Sequence, residues 1–92
     1  MNGEVVRRLA IINVKGLHAR ASAKFVDVVE DFDAQAQVEK DGMAVSGDSI
    51  MGLLMLTAPR GSEIIVTTSG PQAVELADAL EALVSDYFGE GM

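Results

Sequence analysis

The stretch AQAQVEKDGMAV, residues 34–45, constrains the fold more than any other part of the chain. Ala34, Ala36 and Val38 alternate strictly with Gln35, Gln37 and Glu39, the period of a strand buried on one face only. Asp41 and Gly42 supply the two residues of a type I′ turn, so a second strand begins at Met43. A sheet with one polar face needs cover only on the other, and the rest of the chain supplies it. Leu17, Ala21, Phe25, Val28, Val29 and Phe32 trace one helical stripe. Ala73, Leu76, Ala77, Leu80, Leu83, Val84 and Tyr87 trace another, with GEGM reading as a frayed tail. RLAIINV reads as a first strand with Leu9 and Ile11 on one face, and EIIVTT as the fourth. SGDS caps a short helix from about Ser49 to Leu56, closed by Pro59 and Gly61. The order is βαββαβα in one domain spanning residues 1–92. The expected class is α+β, an open-faced two-layer sandwich with three helices on one face of the sheet.

Charge narrows the function. The net formal charge of −7 argues against a nucleic-acid partner, which draws on basic surface. Its distribution is uneven: residues 1–24 carry +4 and residues 25–92 carry −11. The basic minority surrounds the single histidine, His18, which makes a small anion the better partner. With no cysteine and one histidine, thiolate chemistry and a multi-histidine metal site are excluded within one chain, and no metal or cofactor is expected. No apolar run reaches the roughly 20 residues of a membrane span. RRLAII lacks the h-region of a signal peptide, so a soluble cytoplasmic protein is expected; a monomer is expected as well.

Residues 15–25, KGLHARASAKF, hold the chemistry. Gly16 permits a tight turn just before the helix. His18 then falls at or beside the N-cap, where the free backbone N–H groups of residues 19 to 21 point outward and the helix dipole favours an anion. The backbone of Gly16, Ala19 and Ala21 is the expected phosphate cradle. Arg20 adds a planar donor fork, and Lys15 and Lys24 add point charge. A positive helix end beside cations disfavours imidazolium, and a neutral imidazole is the form that attacks phosphorus. The competing reading is a non-catalytic α+β interaction or ligand-sensing module in which His18 merely caps its helix.

GLHARASAKFV, followed about thirty residues later by GDSIMGLLML, resembles the HPr family, the histidine-containing phosphocarriers of the bacterial phosphoenolpyruvate-dependent phosphotransferase system. The resemblance runs from about Arg7 to Phe88. It implies an antiparallel sheet of strand order 1-4-2-3. It also implies a carrier, not an enzyme, that accepts a phosphoryl group from enzyme I on Nδ1 of His18, with Arg20 as the phosphate-stabilising arginine, and passes it to an IIA-type protein. Ser49 resembles the serine that HPr kinase/phosphatase modifies in many members. Many members have proline where this chain has Ala21; alanine leaves the helix start looser, a stability change of up to about 1 kcal/mol. The motif GLHARAS is similar to the nitrogen-related branch, which leaves sugar transport and nitrogen-related regulation both open as destinations.

The short helix carries more apolar side chains than two turns can bury. Leu53 and Leu56 are the expected core residues. Ile50, Met51, Leu54 and Met55 are then the expected docking surface, in which methionines suit several partners. Ser49 has a plain role as well, as the cap of that helix.

Overall fold

The computed structural model describes residues 3–92. The elements are β1 (Val5–Ala10), α1 (Ala19–Glu30), β2 (Gln35–Lys40), β3 (Met43–Ser46), α2 (Ile50–Met55), β4 (Glu63–Ser69) and α3 (Ala73–Ser85), followed by a single 3₁₀ turn, Tyr87–Gly89. The four strands form one antiparallel sheet in the order β1-β4-β2-β3. Both the class and the strand order agree with expectation.

β4 lies between β1 and β2 and sets the register, with Val66 opposite both Arg7 and Val38. Its inward side chains Ile64, Val66 and Thr68 are fully buried, while Glu63 is exposed. Each such apolar side chain contributes about 1.5–3 kcal/mol of burial. Thr68 enters this apolar layer because its hydroxyl donates to the carbonyl of Ala73 at 2.7 Å. The helices close over this face, bringing Phe25, Leu53, Leu76 and Leu80 onto Val38, Ile64 and Val66 in one cluster. At the β2–β3 turn Asp41 and Gly42 have φ of 52° and 84°, the positive pair that a type I′ turn requires.

Four local expectations need correction. β1 ends at Ala10, yet Ile11 stays fully buried because its N–H donates to the carbonyl of Ser62 at 2.8 Å. Val26, off the stripe drawn for α1, is buried, whereas Val28 and Phe32 only pack against the cluster's edge. Tyr87 is not a core residue: it is 37% exposed, and Phe88 is fully buried in its place. The tail is not frayed.

The last two corrections have one cause. Tyr87 and Phe88 take left-handed backbone angles, φ 58° and 53°, which rotates the chain out of the period of α3. Two such residues cost about 1–2 kcal/mol each, and burying Phe88 returns about 1.5–3 kcal/mol. Hydrogen bonds supply the rest: Gly89 N–H to Asp86 carbonyl (2.8 Å), Glu90 N–H to Tyr87 carbonyl (2.9 Å), and Lys24 Nζ to Phe88 carbonyl (2.6 Å). The chain thus turns back from the end of α3 towards the start of α1. Val14 N–H meets the carbonyl of Met92 at 3.3 Å.

Candidate functional site

The loop between β1 and α1 is built around Gly16. Its φ is 68°, and a Cβ there would lie 2.5 Å from the carbonyl oxygen of Ala58 and 2.8 Å from Cα of Pro59. Only glycine fits. The next residue, Leu17, is anchored by its N–H to that same Ala58 carbonyl at 2.9 Å. The loop therefore rests on the segment that follows α2. Gly16 itself has no free donor, since its N–H is spent on the carbonyl of Asn13 at 3.1 Å. Its expected place in a phosphate cradle is therefore wrong; it shapes the turn, and the amides that remain belong to the helix.

His18 is the N-cap residue of α1, with extended backbone angles φ −82° and ψ −176°. Its carbonyl accepts the first helical bond, from Ser22 N–H at 2.8 Å. The N–H groups of Ala19, Arg20 and Ala21 meet no acceptor among the described residues, as a first helical turn dictates. The imidazole makes no capping bond to the helix, so the reading in which the ring merely caps α1 fails on geometry. Nε2 pairs instead with Oε2 of Glu90, leaving the side chain 26% exposed against 15% for Glu90.

Glu90 is held from several sides. Its Oε1 accepts a hydrogen bond from Nδ2 of the fully buried Asn13 at 3.0 Å, and the same Nδ2 reaches the Gly16 carbonyl at 2.8 Å. Burial works against charge on this carboxyl. The Asn13 amide, the His18 ring and the Lys24 ammonium outweigh it and hold Glu90 below the usual carboxylate range. Asn13 Oδ1 is buried without a partner.

Beside this pair lies a cleft of about 440 Å³, lined by Lys15, Arg20, Lys24 and Glu90 among others. Arg20 is exposed and makes no ion pair or side-chain hydrogen bond among the described residues, so its donor fork is available. Lys24 is half-buried and leans onto the Phe88 carbonyl. His18 also borders a shallower hollow with Lys15, Leu17, Thr57 and Pro59, so the start of α1 is continuous with the end of α2.

On α2, Ser49 is the N-cap, its Oγ accepting from Gly52 N–H at 3.0 Å. Leu53 and Leu56 are buried, and Ile50, Met51 and Met55 are 40%, 69% and 63% exposed. Leu54 is half-buried, so it forms the floor of that surface and not its crest.

Asn13 and Glu90 were missed in the sequence, though both leave a trace. Asn13 continues the inward parity of Leu9 and Ile11, all three buried. Glu90 stands between Gly89 and Gly91, whose φ of 76° and 82° mark a turning chain rather than a loose one.

Residues 5–86 match the family described as the PTS HPr component phosphorylation site. Over 85 residues the chain is 46% identical to the phosphocarrier protein HPr of Cupriavidus necator, covering 92% of this chain and 96% of that one. It is 33% identical over 87 residues to the phosphocarrier protein NPr of Klebsiella oxytoca, covering 94% and 97%. The fold overlays the crystal structure of HPr-C-His from Thermoanaerobacter tengcongensis with a TM-score of 0.88 at 37% identity, covering 98% of this chain and 99% of that one. With a site of this geometry on that fold, the chain belongs to the HPr family, the phosphocarrier proteins of the phosphotransferase system.

Proposed function

We propose that His18 is the phosphoryl acceptor of this carrier, taking the group from phosphorylated enzyme I onto Nδ1 and delivering it to an IIA-type protein in the cytoplasm. The N–P bond to His18 forms as the N–P bond of the donor breaks, and the reverse exchange with the next acceptor restores the imidazole. The protein is thus a stoichiometric carrier with a phosphohistidine intermediate. One observation carries the reading: a part-exposed imidazole at a helix start whose first three N–H groups have no acceptor among the described residues, paired to Glu90 of a cleft that Arg20 also lines. A phosphoryl group arriving there meets donors already in place, which need not reorganise during transfer. Ser49, at the head of α2, is the candidate for regulatory modification. The exposed Ile50, Met51 and Met55, with Leu54 beneath them, are the surface on which partners dock.

Higher identity to HPr than to NPr relatives, 46% against 33%, favours the general over the nitrogen-related branch. The test is incubation with phosphoenolpyruvate and enzyme I, followed by intact mass and transfer to purified sugar-type and nitrogen-type IIA proteins. The expected product carries one acid-labile, alkali-stable phosphoryl group. His18→Ala should fold and accept nothing. Arg20→Ala should accept slowly, losing at least tenfold in rate, about 1.4 kcal/mol, with its thermal midpoint unmoved. Phosphate carried by the His18→Ala protein would end the assignment.

A further inference from the structure

The two residues the sequence left unassigned, Asn13 and Glu90, form a chain of contacts that ends on the histidine ring: Gly16 carbonyl, Asn13 amide, Glu90 carboxylate, His18 Nε2. We propose that Glu90 is a positioning residue for phosphoryl transfer, receiving the proton of Nε2 so that the ring presents an unprotonated Nδ1, with Asn13 fixing the carboxylate in turn. The proposal rests on the reading of His18 as the acceptor.

The physical case begins with protons. A neutral imidazole carries one proton on one nitrogen, and the hydrogen bond at that nitrogen decides which. Glu90 is held in its ionised form by Asn13, His18 and Lys24, and an ionised carboxylate only accepts. Nε2 must therefore donate, which leaves the Nδ1 lone pair free. Nδ1 has no hydrogen-bond partner among the described residues. Geometry adds a second point. The two ring nitrogens face different directions, so Glu90 orients the imidazole without standing where the phosphoryl group must arrive. When Nδ1 takes that group, the ring gains positive charge, and the carboxylate is already beside Nε2 to stabilise it. This is the division of labour between carboxylate and imidazole found in hydrolase triads, here serving transfer between proteins. The charged side chains that line the cleft with Glu90 are cations, Lys24 on α1 with Lys15 and Arg20. Of these, Lys24 helps to hold it ionised.

The test separates tautomer from transfer. The ¹⁵N shifts of His18 in the unphosphorylated, full-length protein report which nitrogen bears the proton, and no enzyme is needed. Wild type should be the Nε2–H form. Glu90→Gln removes the charge at nearly constant shape and should give a mixture of tautomers. Asn13→Ala should move the ring in the same direction while leaving Glu90 in place. Thermal melts run alongside establish that both variants fold. Phosphorylation by enzyme I should slow by about ten- to a hundredfold in Glu90→Gln, as for other residues that orient a reactive ligand. Unchanged tautomers with an unchanged rate overturn the proposal. So does faster transfer, which would make Glu90 a brake on the incoming anion. If wild-type His18 accepts no phosphate at all, the carrier assignment fails, while the ¹⁵N shifts still decide whether Glu90 sets the tautomer.

Discussion

Glu90 is a residue through which pH acts on this fold. A carboxyl held below its ordinary range binds protons less readily in the folded chain than in the unfolded one. Its contribution to stability is therefore complete above the unfolded carboxyl value, about 4.3, and is lost as pH falls through the folded value. The thermal midpoint of wild type should exceed that of Glu90→Gln at neutral pH, and the gap should close on acidification below about pH 4. A gap constant across that range would show that the carboxylate contributes shape and not charge. At this scale His18 and Arg20 were legible as candidates, because a sole histidine inside a basic cluster at a helix start is a local pattern. Glu90 was not legible: it lies 72 residues from His18 along the chain, and nothing near either one announces the other. Gly16 was half legible. Its turn could be read, but the spending of its amide on Asn13 could not.

Among the elements, α2 combines an observed cap with the proposed docking surface, and one substitution series can separate them. As N-cap, Ser49 accepts from Gly52 N–H, and loss of such a cap costs about 1 kcal/mol. Ser49→Ala should therefore melt lower than wild type, with enzyme I transfer unchanged. Ser49→Asp keeps an acceptor at the cap and a favourable charge at the helix start, so its melt should match wild type. It also places that charge beside the exposed Ile50 and Met51, where a docking partner must desolvate it, and transfer should slow. Equal transfer rates for all three proteins would leave Ser49 as a cap alone. Helices and strands were legible here because period and turn chemistry are local. The end of α3 was not: its apolar stripe predicts Tyr87 inward, and the reversal of backbone hand at Tyr87 and Phe88 has no counterpart in a periodic pattern. The strand order came from family resemblance, since alternation shows which face of a strand is buried and not which strand lies beside it.

For the whole molecule, the pairing of β1 with β4, Val5 opposite Thr68, fixes when the protein can come into being. β1 is made before the other described strands, yet its one neighbour among them is β4, the last of the four. The loop bearing Asn13 and His18 depends on the same late segment, through Ile11 N–H to the Ser62 carbonyl and Gly61 N–H to the Ile11 carbonyl, both at 2.8 Å. Closing so long a loop must precede the contacts that reward it. A fragment of residues 1–60, which lacks Gly61, Ser62, β4 and α3, should show no amide protection in β1 and no ordered histidine loop by hydrogen exchange. Protection there would mean that β1 finds a partner without β4. On a ribosome, the consequence is one of timing. The histidine emerges early, but a chain still without β4 cannot hold its loop in place, and Glu90 follows only after β4 and α3. A nascent chain that has not yet made β4 has no ordered histidine loop to present, so on the proposed function it could not yet be charged with phosphate.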